Sequence, residues 1–309
     1  MSMLMVPAEQ YHSDDLGAPQ PCLSSSIAKI LLAKSPLHAW SCHPKLGNLP
    51  REKGEDDKFD YGSACHDVLL EGGAKLLILN PEDYRSKPTK ADPEGSVPKG
   101  WTNGAIREAR ALAQAEGKLP LLPSQGNRVM KMVEGAKRFI FESEHAFEWD
   151  GGAKEATFTW QENGVWLKCR FDVVNLKRGF IGDYKSTVSA NPRWFSGHMV
   201  RMGYHFQQAF YERALKAQGI DDPRFMFLAQ EVTAPHACSW HTADMDLRLI
   251  ANAEIDRAIR VWGECLASNK WPSYGQECNE AKPTSWMMEQ AVADGTFDLG
   301  YREEENVAV

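Results

Sequence analysis

The chain has 309 residues, enough to bury a large core as one elaborated domain or two small ones. Its 43% hydrophobic and 25% charged residues give the balance of a soluble globular protein, and no apolar run approaches the roughly 18 residues a membrane span needs. A net charge of −7 argues against a protein that coats nucleic acid by charge alone, unless its basic groups are gathered into one channel.

Part of the acidity lies in the terminal run Arg302 to Glu305. Residues 1–10 lack the basic start and apolar centre of a secretory signal, so a cytoplasmic protein with no membrane partner is expected. Seven cysteines are scattered without any C-x-x-C pair, which predicts reduced thiols rather than a disulfide framework or a zinc ribbon.

Residues 1–23 read as an irregular lead-in. Ser24, Ser25 and Ser26 offer cap hydroxyls for a helix from Ile27 to about Lys34, which Pro36 ends. Residues 44–58 read as a loop, and Gly62 to Glu71 as a helix stopped by Gly72 and Gly73. A long surface loop over 81–100 precedes helices over about 101–116 and 125–147. Strands over 156–160 and 165–174 flank Gln161-Glu-Asn-Gly164, a hairpin turn, and a turn at 176–179 leads to a third strand over 180–185. A long helix over 194–218, strands at 224–232 and 238–241, and a helix over about 244–268 follow, ahead of an irregular tail. The order predicts a single domain over 1–309 with a mixed α/β core. A mainly helical N-terminal elaboration spans 1–150, an antiparallel meander flanked by helices lies in 151–275, and the tail occupies 276–309.

The meander carries the chemistry. Alternation along Trp166 to Asp172 puts Trp166, Lys168, Arg170 and Asp172 on one face and Leu167, Cys169 and Phe171 on the other, the core side. In the next strand Asp183 and Lys185 share a face. A four-residue turn sets Asp172 across from Asp183, and two carboxylates that close repel unless a cation lies between them. A hard divalent ion such as Mg²⁺ fits that need, and Lys185 can then approach a scissile phosphate. An ordinary charged surface hairpin has the same triplet, so Asp183-Tyr-Lys185 alone decides little.

Phe171-Asp-Val-Val and Ile181-Gly-Asp-Tyr-Lys185 resemble the core of the PD-(D/E)xK nucleases. Tyr61-Gly-Ser-Ala-Cys-His66 is similar to the glycine-then-histidine helix of the RecB-like branch, and Gln207-x-x-x-Tyr211 to its Q-x-x-x-Y helix. Leu23-Ser-Ser-Ser-Ile and Ser35-Pro-Leu-His38 further resemble RecE-type (exonuclease VIII-like) phage recombination exonucleases, the likeness covering roughly residues 10–275.

The resemblance implies that His66, Asp172, Asp183 and the Tyr184 carbonyl hold Mg²⁺, with Mn²⁺ able to substitute. Lys185 then orients or activates the attacking water, and Gln207 and Tyr211 hold the DNA strand and support the site. The acid preceding Lys185 is often Glu in the family; here it is Asp183. A further acidic residue from the helical region is implied, and Glu108 is the candidate. Arg170, Lys168 and Arg85 are candidate phosphate contacts.

The implied activity is digestion of linear double-stranded DNA from its ends, 5′→3′, in recombination. The implied partners are a ring-shaped homo-oligomer and a single-strand annealing protein. A structure-specific or restriction-type endonuclease on the same core, and a catalytically silent DNA-binding homologue, are the alternatives. Cys238, Cys265 and Cys278 lack the close spacing of iron–sulfur ligands, so no cluster is expected.

Overall fold

The computed structural model describes residues 2–49 and 60–296. Most of the predicted loop at 44–58 and the acidic run Arg302 to Glu305 lie outside the described residues.

In chain order the elements are β1 (Ser2–Leu4), α1 (Ala8–His12), β2 (Leu23–Ser24), α2 (Ser25–Ala33), α3 (Pro36–Cys42) and α4 (Tyr61–Glu71). There follow β3 (Leu76–Ile78), α5 (Gly104–Ala115), β4 (Leu119–Leu121), α6 (Pro123–Phe141) and α7 (Ala146–Asp150). The meander is β5 (Ala153–Glu162), β6 (Val165–Asn175) and β7 (Phe180–Thr187). Then come α8 (Pro192–Met202), α9 (Tyr204–Lys216), β8 (Arg224–Glu231), β9 (Cys238–His241) and α10 (Met245–Ser268). Among the described residues, those from 274 onward form a separate compact unit, and its helix α11 (Ser285–Ala293) occupies part of the tail predicted to be irregular.

Among the described residues the main sheet is seven-stranded, in the order β1-β5-β6-β7-β8-β9 with β2 beside β6. The β7–β8 and β2–β6 pairs are parallel and the rest antiparallel, with α8 and α9 as the crossover between β7 and β8. The fold is a mixed α/β sheet flanked by helices, as the order of elements predicts. The lead-in departs from expectation, because β1 and β2 find strands more than a hundred residues away, a pairing that local sequence does not encode. The predicted helix over 194–218 is two helices. Gly203 sits at φ 65°, a left-handed conformation that closes α8 and redirects the chain into α9.

Two apolar clusters cover the sheet. One joins Phe158, Trp160, Leu167, Cys169, Phe171, Val174 and Ile181 to α2, α9 and α10; the other joins Val173, Phe180, Tyr184 and Leu228 to α4, α6 and α7. Strict alternation would keep Val173 with Phe171. Instead the facing slips by one residue at Asp172, opposite Glu155, whose φ of 53° interrupts the β5–β6 ladder between the pairs Lys154–Val173 and Ala156–Phe171. One hairpin therefore supplies two cores, and the slip falls at the residues that carry the carboxylates. Edge-to-face contacts run through the first core, Phe158 to Phe171 and Phe171 to Tyr211 both at 5.2 Å, each fully buried ring contributing about 1.5–3 kcal/mol.

Helix α4 approaches β7 very closely at Gly62. A Cβ there would lie 2.1 Å from Ser186 Oγ and 2.8 Å from Ser186 Cβ. Gly62→Ala is therefore expected to cost about 1–3 kcal/mol by overpacking. Thermal melts check this: the midpoint falls in Gly62→Ala, and adding Ser186→Gly recovers most of the loss. No recovery would mean that the contact is not the cause.

Candidate active site

Strand order places three carboxylates in one row. The two-residue turn Asn163-Gly164 pairs Glu162 with Val165, and this register sets Glu155 opposite Asp172. The short turn after β6 pairs Val173 with Gly182, which makes Asp172 and Asp183 the next pair along. The Asp172 carboxylate then takes over from the ladder, its Oδ2 accepting the Tyr184 N–H at 2.8 Å. From α4, one turn past the close approach at Gly62, His66 reaches into the row. Its Nε2 is 3.2 Å from Asp172 Oδ1 and 3.4 Å from Glu155 Oε1.

Asp183 lies deeper, 1% exposed. Lys185 Nζ is ion-paired with its Oδ1, and Gln207 of α9 donates to its Oδ2 at 2.6 Å. His66, Asp172, Asp183, Lys185 and Gln207 are thus brought together. Tyr211 lines the same cavity, with its ring packed on Phe171. The cavity is open and about 620 Å³, with Asp60, Ser63, Glu71, Ser186 and Tyr204 also on its wall.

Electrostatics follow from this crowding. Burial alone would lower the His66 imidazole, but Asp172 and then Glu155 and Asp183 hold it up at about 9. Burial raises Asp183 to about 7, with the Asp172 charge adding and Lys185 opposing. Burial would raise Asp172 as well, yet His66, Lys185 and the Tyr184 N–H together hold it below the usual carboxylate range. Glu155 is raised by burial and by Asp172. Burial disfavours the Lys185 ammonium, but Asp183 and Asp172 outweigh it and keep it charged.

Several expectations need correction. Lys168 is 4% exposed, and its ammonium is 2.8 Å from Asp14 Oδ1 and 2.8 Å from the Tyr11 carbonyl; it ties down the N-terminal segment and is not available to a phosphate. Arg170 does line the cavity, but its guanidinium donates to Glu155, to Thr157 and to the Val6 carbonyl and so clamps Glu155 in place. Arg85 pairs with Glu82 and the Gly95 carbonyl, closing its own loop away from the cavity. Glu108 is exposed on α5 and does not line the cavity.

The additional acids are Glu155, on a strand, and Glu71, on α4 with His66. These two and His66 each offer a donor atom within 4.8 Å of one another. Glu155 had a signal in the sequence, since the Asn163-Gly164 turn counts it onto Asp172. Glu71 had none beyond sharing a helix with His66.

The donor set fits a hard divalent cation. Carboxylate oxygens from adjacent elements converge with one imidazole, and Glu155 Oε1 is buried without accepting a hydrogen bond. A strand residue turns its N–H and C=O to the same neighbour, so the Tyr184 carbonyl faces the Asp172 side too. The carboxylate row, the ammonium two residues beyond Asp183 and the mixed sheet define the class as a PD-(D/E)xK nuclease fold.

A family described as "PDDEXK-like domain of unknown function (DUF3799)" matches residues 52–284, and the chain belongs to that family. A crystal structure of a candidate exonuclease from Eubacterium rectale shares the fold, with a TM-score of 0.54 at 14% identity over 93% of this chain and 99% of that one. No curated protein matches the sequence. Among the described residues no helix is long and apolar enough to cross a membrane.

The raised His66 value has a sign that can be checked in EDTA. Because the folded value exceeds the free imidazole value of about 6.5, the His66 contribution to stability is full below about 6.5. It is lost as pH climbs through about 9. Histidine NMR titrations are expected to move His66 downward in Asp172→Asn and, by less, in Glu155→Gln. An unchanged midpoint in both would detach His66 from the carboxylates.

Proposed function

We propose that this chain hydrolyses phosphodiester bonds in DNA with a divalent cation, Mg²⁺ or Mn²⁺, and works from the ends of linear duplexes. The observation that carries the reading is the convergence of His66, Glu155, Asp172 and Lys185 on one open cavity, with the buried Asp183 ion-paired to Lys185. His66, Glu71, Glu155, Asp172 and the Tyr184 carbonyl are the groups that would hold the cation, with Asp183 joining when Lys185 turns from it to the substrate. The cation supplies a polarised phosphoryl oxygen and a more acidic water.

The side chains do the rest. Lys185, kept as an ammonium, donates to the attacking water or to a non-bridging oxygen and offsets the negative charge that grows as the new P–O bond forms and the old one breaks. Gln207 holds Asp183 so that its second oxygen keeps a fixed direction. Arg170 does the same for Glu155. Exonuclease action, 5′→3′ polarity, recombinational end processing, a ring-shaped homo-oligomer and a single-strand annealing partner belong to the same proposal. Their support is the resemblance of the motifs to RecE-type exonucleases, and the cytoplasmic location belongs with them.

A time course on end-labelled linear duplex and on covalently closed circular DNA tests the reading. Linear DNA is expected to be consumed in Mg²⁺ and spared in EDTA, with closed circles intact. Lys185→Ala is expected to slow digestion by about 100-fold or more. Cutting of closed circles would replace the exonuclease reading with an endonuclease. A wild-type protein inert towards DNA in Mg²⁺ and in Mn²⁺ would sink the proposal.

A further inference from the structure

A chain of rings leads from Lys185 out to the surface. The Lys185 ammonium lies 5.3 Å from the centroid of Tyr204, which lines the cavity. Tyr204 meets His198 edge-on at 5.8 Å and 77°. His198 is stacked on Trp194 at 4.8 Å and 19°, and Trp194 is 39% exposed.

Sequence and fold account for the alignment. Trp194 and His198 are one turn apart on α8 and so share a face. The left-handed Gly203 ends α8 and brings Tyr204, the first residue of α9, back beside that face. Beneath the rings, fully buried Phe195 contacts His198 at 5.8 Å and Tyr204 at 6.1 Å, and Phe227 backs Tyr204 at 5.6 Å. The rings therefore rest on core and have little freedom to lose on binding.

Cations flank the track. Arg201 Nη2 is 3.0 Å from His198 Nδ1, and Arg193 lies on the same helix; both are exposed. Burial and Arg201 lower the His198 imidazole, which keeps the ring neutral and suited to stacking.

An exposed tryptophan laid flat on a half-buried imidazole adds little to the core. A series of rings beside the cavity, with Trp194 exposed at its outer end and guanidinium groups alongside, suits unpaired nucleotides: every base offers a π-face, and stacking is worth about 1–3 kcal/mol per base. Paired bases inside a duplex cannot use such rings. We propose that Trp194, His198 and Tyr204 form a stacking track that binds an unpaired stretch of nucleic acid strand leading to the scissile phosphate. The proposal rests on the reading of the cavity as a nuclease site and adds that the strand is presented unpaired.

The test uses the full chain, with Ca²⁺ in place of Mg²⁺, and a fluorescein-labelled oligothymidylate followed by anisotropy. A companion oligonucleotide carries 2-aminopurine, whose fluorescence falls when the base stacks. Wild type is expected to bind both and quench the second. Trp194→Ala is expected to weaken binding by about 5- to 150-fold and to remove quenching, while Trp194→Phe keeps most of both. With Mg²⁺ present, the oligonucleotide KM is expected to rise in Trp194→Ala by more than kcat falls. Equal binding and quenching by wild type, Trp194→Ala and His198→Ala would overturn the track, as would a wild type that binds no oligothymidylate. Trp194-dependent binding without cleavage of any DNA would instead sink the nuclease reading and leave the track standing.

Discussion

Mutual repulsion among Glu155, Asp172 and Asp183 is the constraint that the surrounding structure answers. Taking carboxylates out of water costs several kcal/mol each, and placing like charges side by side adds to that. The chain offsets the cost with positive groups from separate directions: His66 from the helix above the row, Lys185 along the strand, and Arg170 from the strand between. The balance is incomplete, and Asp183 is the group that gives way, its carboxyl rising to about 7. A site so loaded with acid favours an arriving cation, because every oxygen it touches is relieved of repulsion.

Rigidity under the site comes from packing rather than from the charges. The close approach at Gly62 fixes the height of His66 over β7, and Gln230 ties β7 to the helices behind it. It accepts from the Tyr184 hydroxyl at 2.9 Å and donates to the Met132 carbonyl at 2.8 Å while fully buried. Buried polar groups satisfied on both sides in this way rigidify a core and specify one arrangement. The backbone that carries Asp183 and Lys185 is thereby held from the face opposite the cavity.

Much of this was legible in the sequence, and the parts that were not share a cause. The helices with clear caps and the hairpin turn follow from local chemistry. So does the adjacency of Asp172 and Asp183, which short turns determine. The partners of Lys168 and Arg170 did not follow, because Asp14 and the Val6 carbonyl reach them from far away in the chain. Strands β1 and β2 were missed for the same reason. The split of the long helix at Gly203 was marked only by one glycine in an otherwise helical run, a residue helices tolerate at a cost of about 1 kcal/mol. Glu155 was missed because the first strand of the meander was read as beginning at Ala156, whereas it runs back to Ala153.

The change of facing at Asp172 gives a distant turn authority over the chemistry. Asn163 and Gly164 lie eight or more residues along the strand from Glu155, on the order of 27 Å at about 3.4 Å per residue. Nothing between them can alter the count without cost, since each step inverts which side chains are wetted. Lengthening the loop by a single residue would present Lys154 or Ala156 across from Asp172, so the tip of the hairpin, far from any substrate, decides whether an acid, a base or a methyl group stands in the cavity.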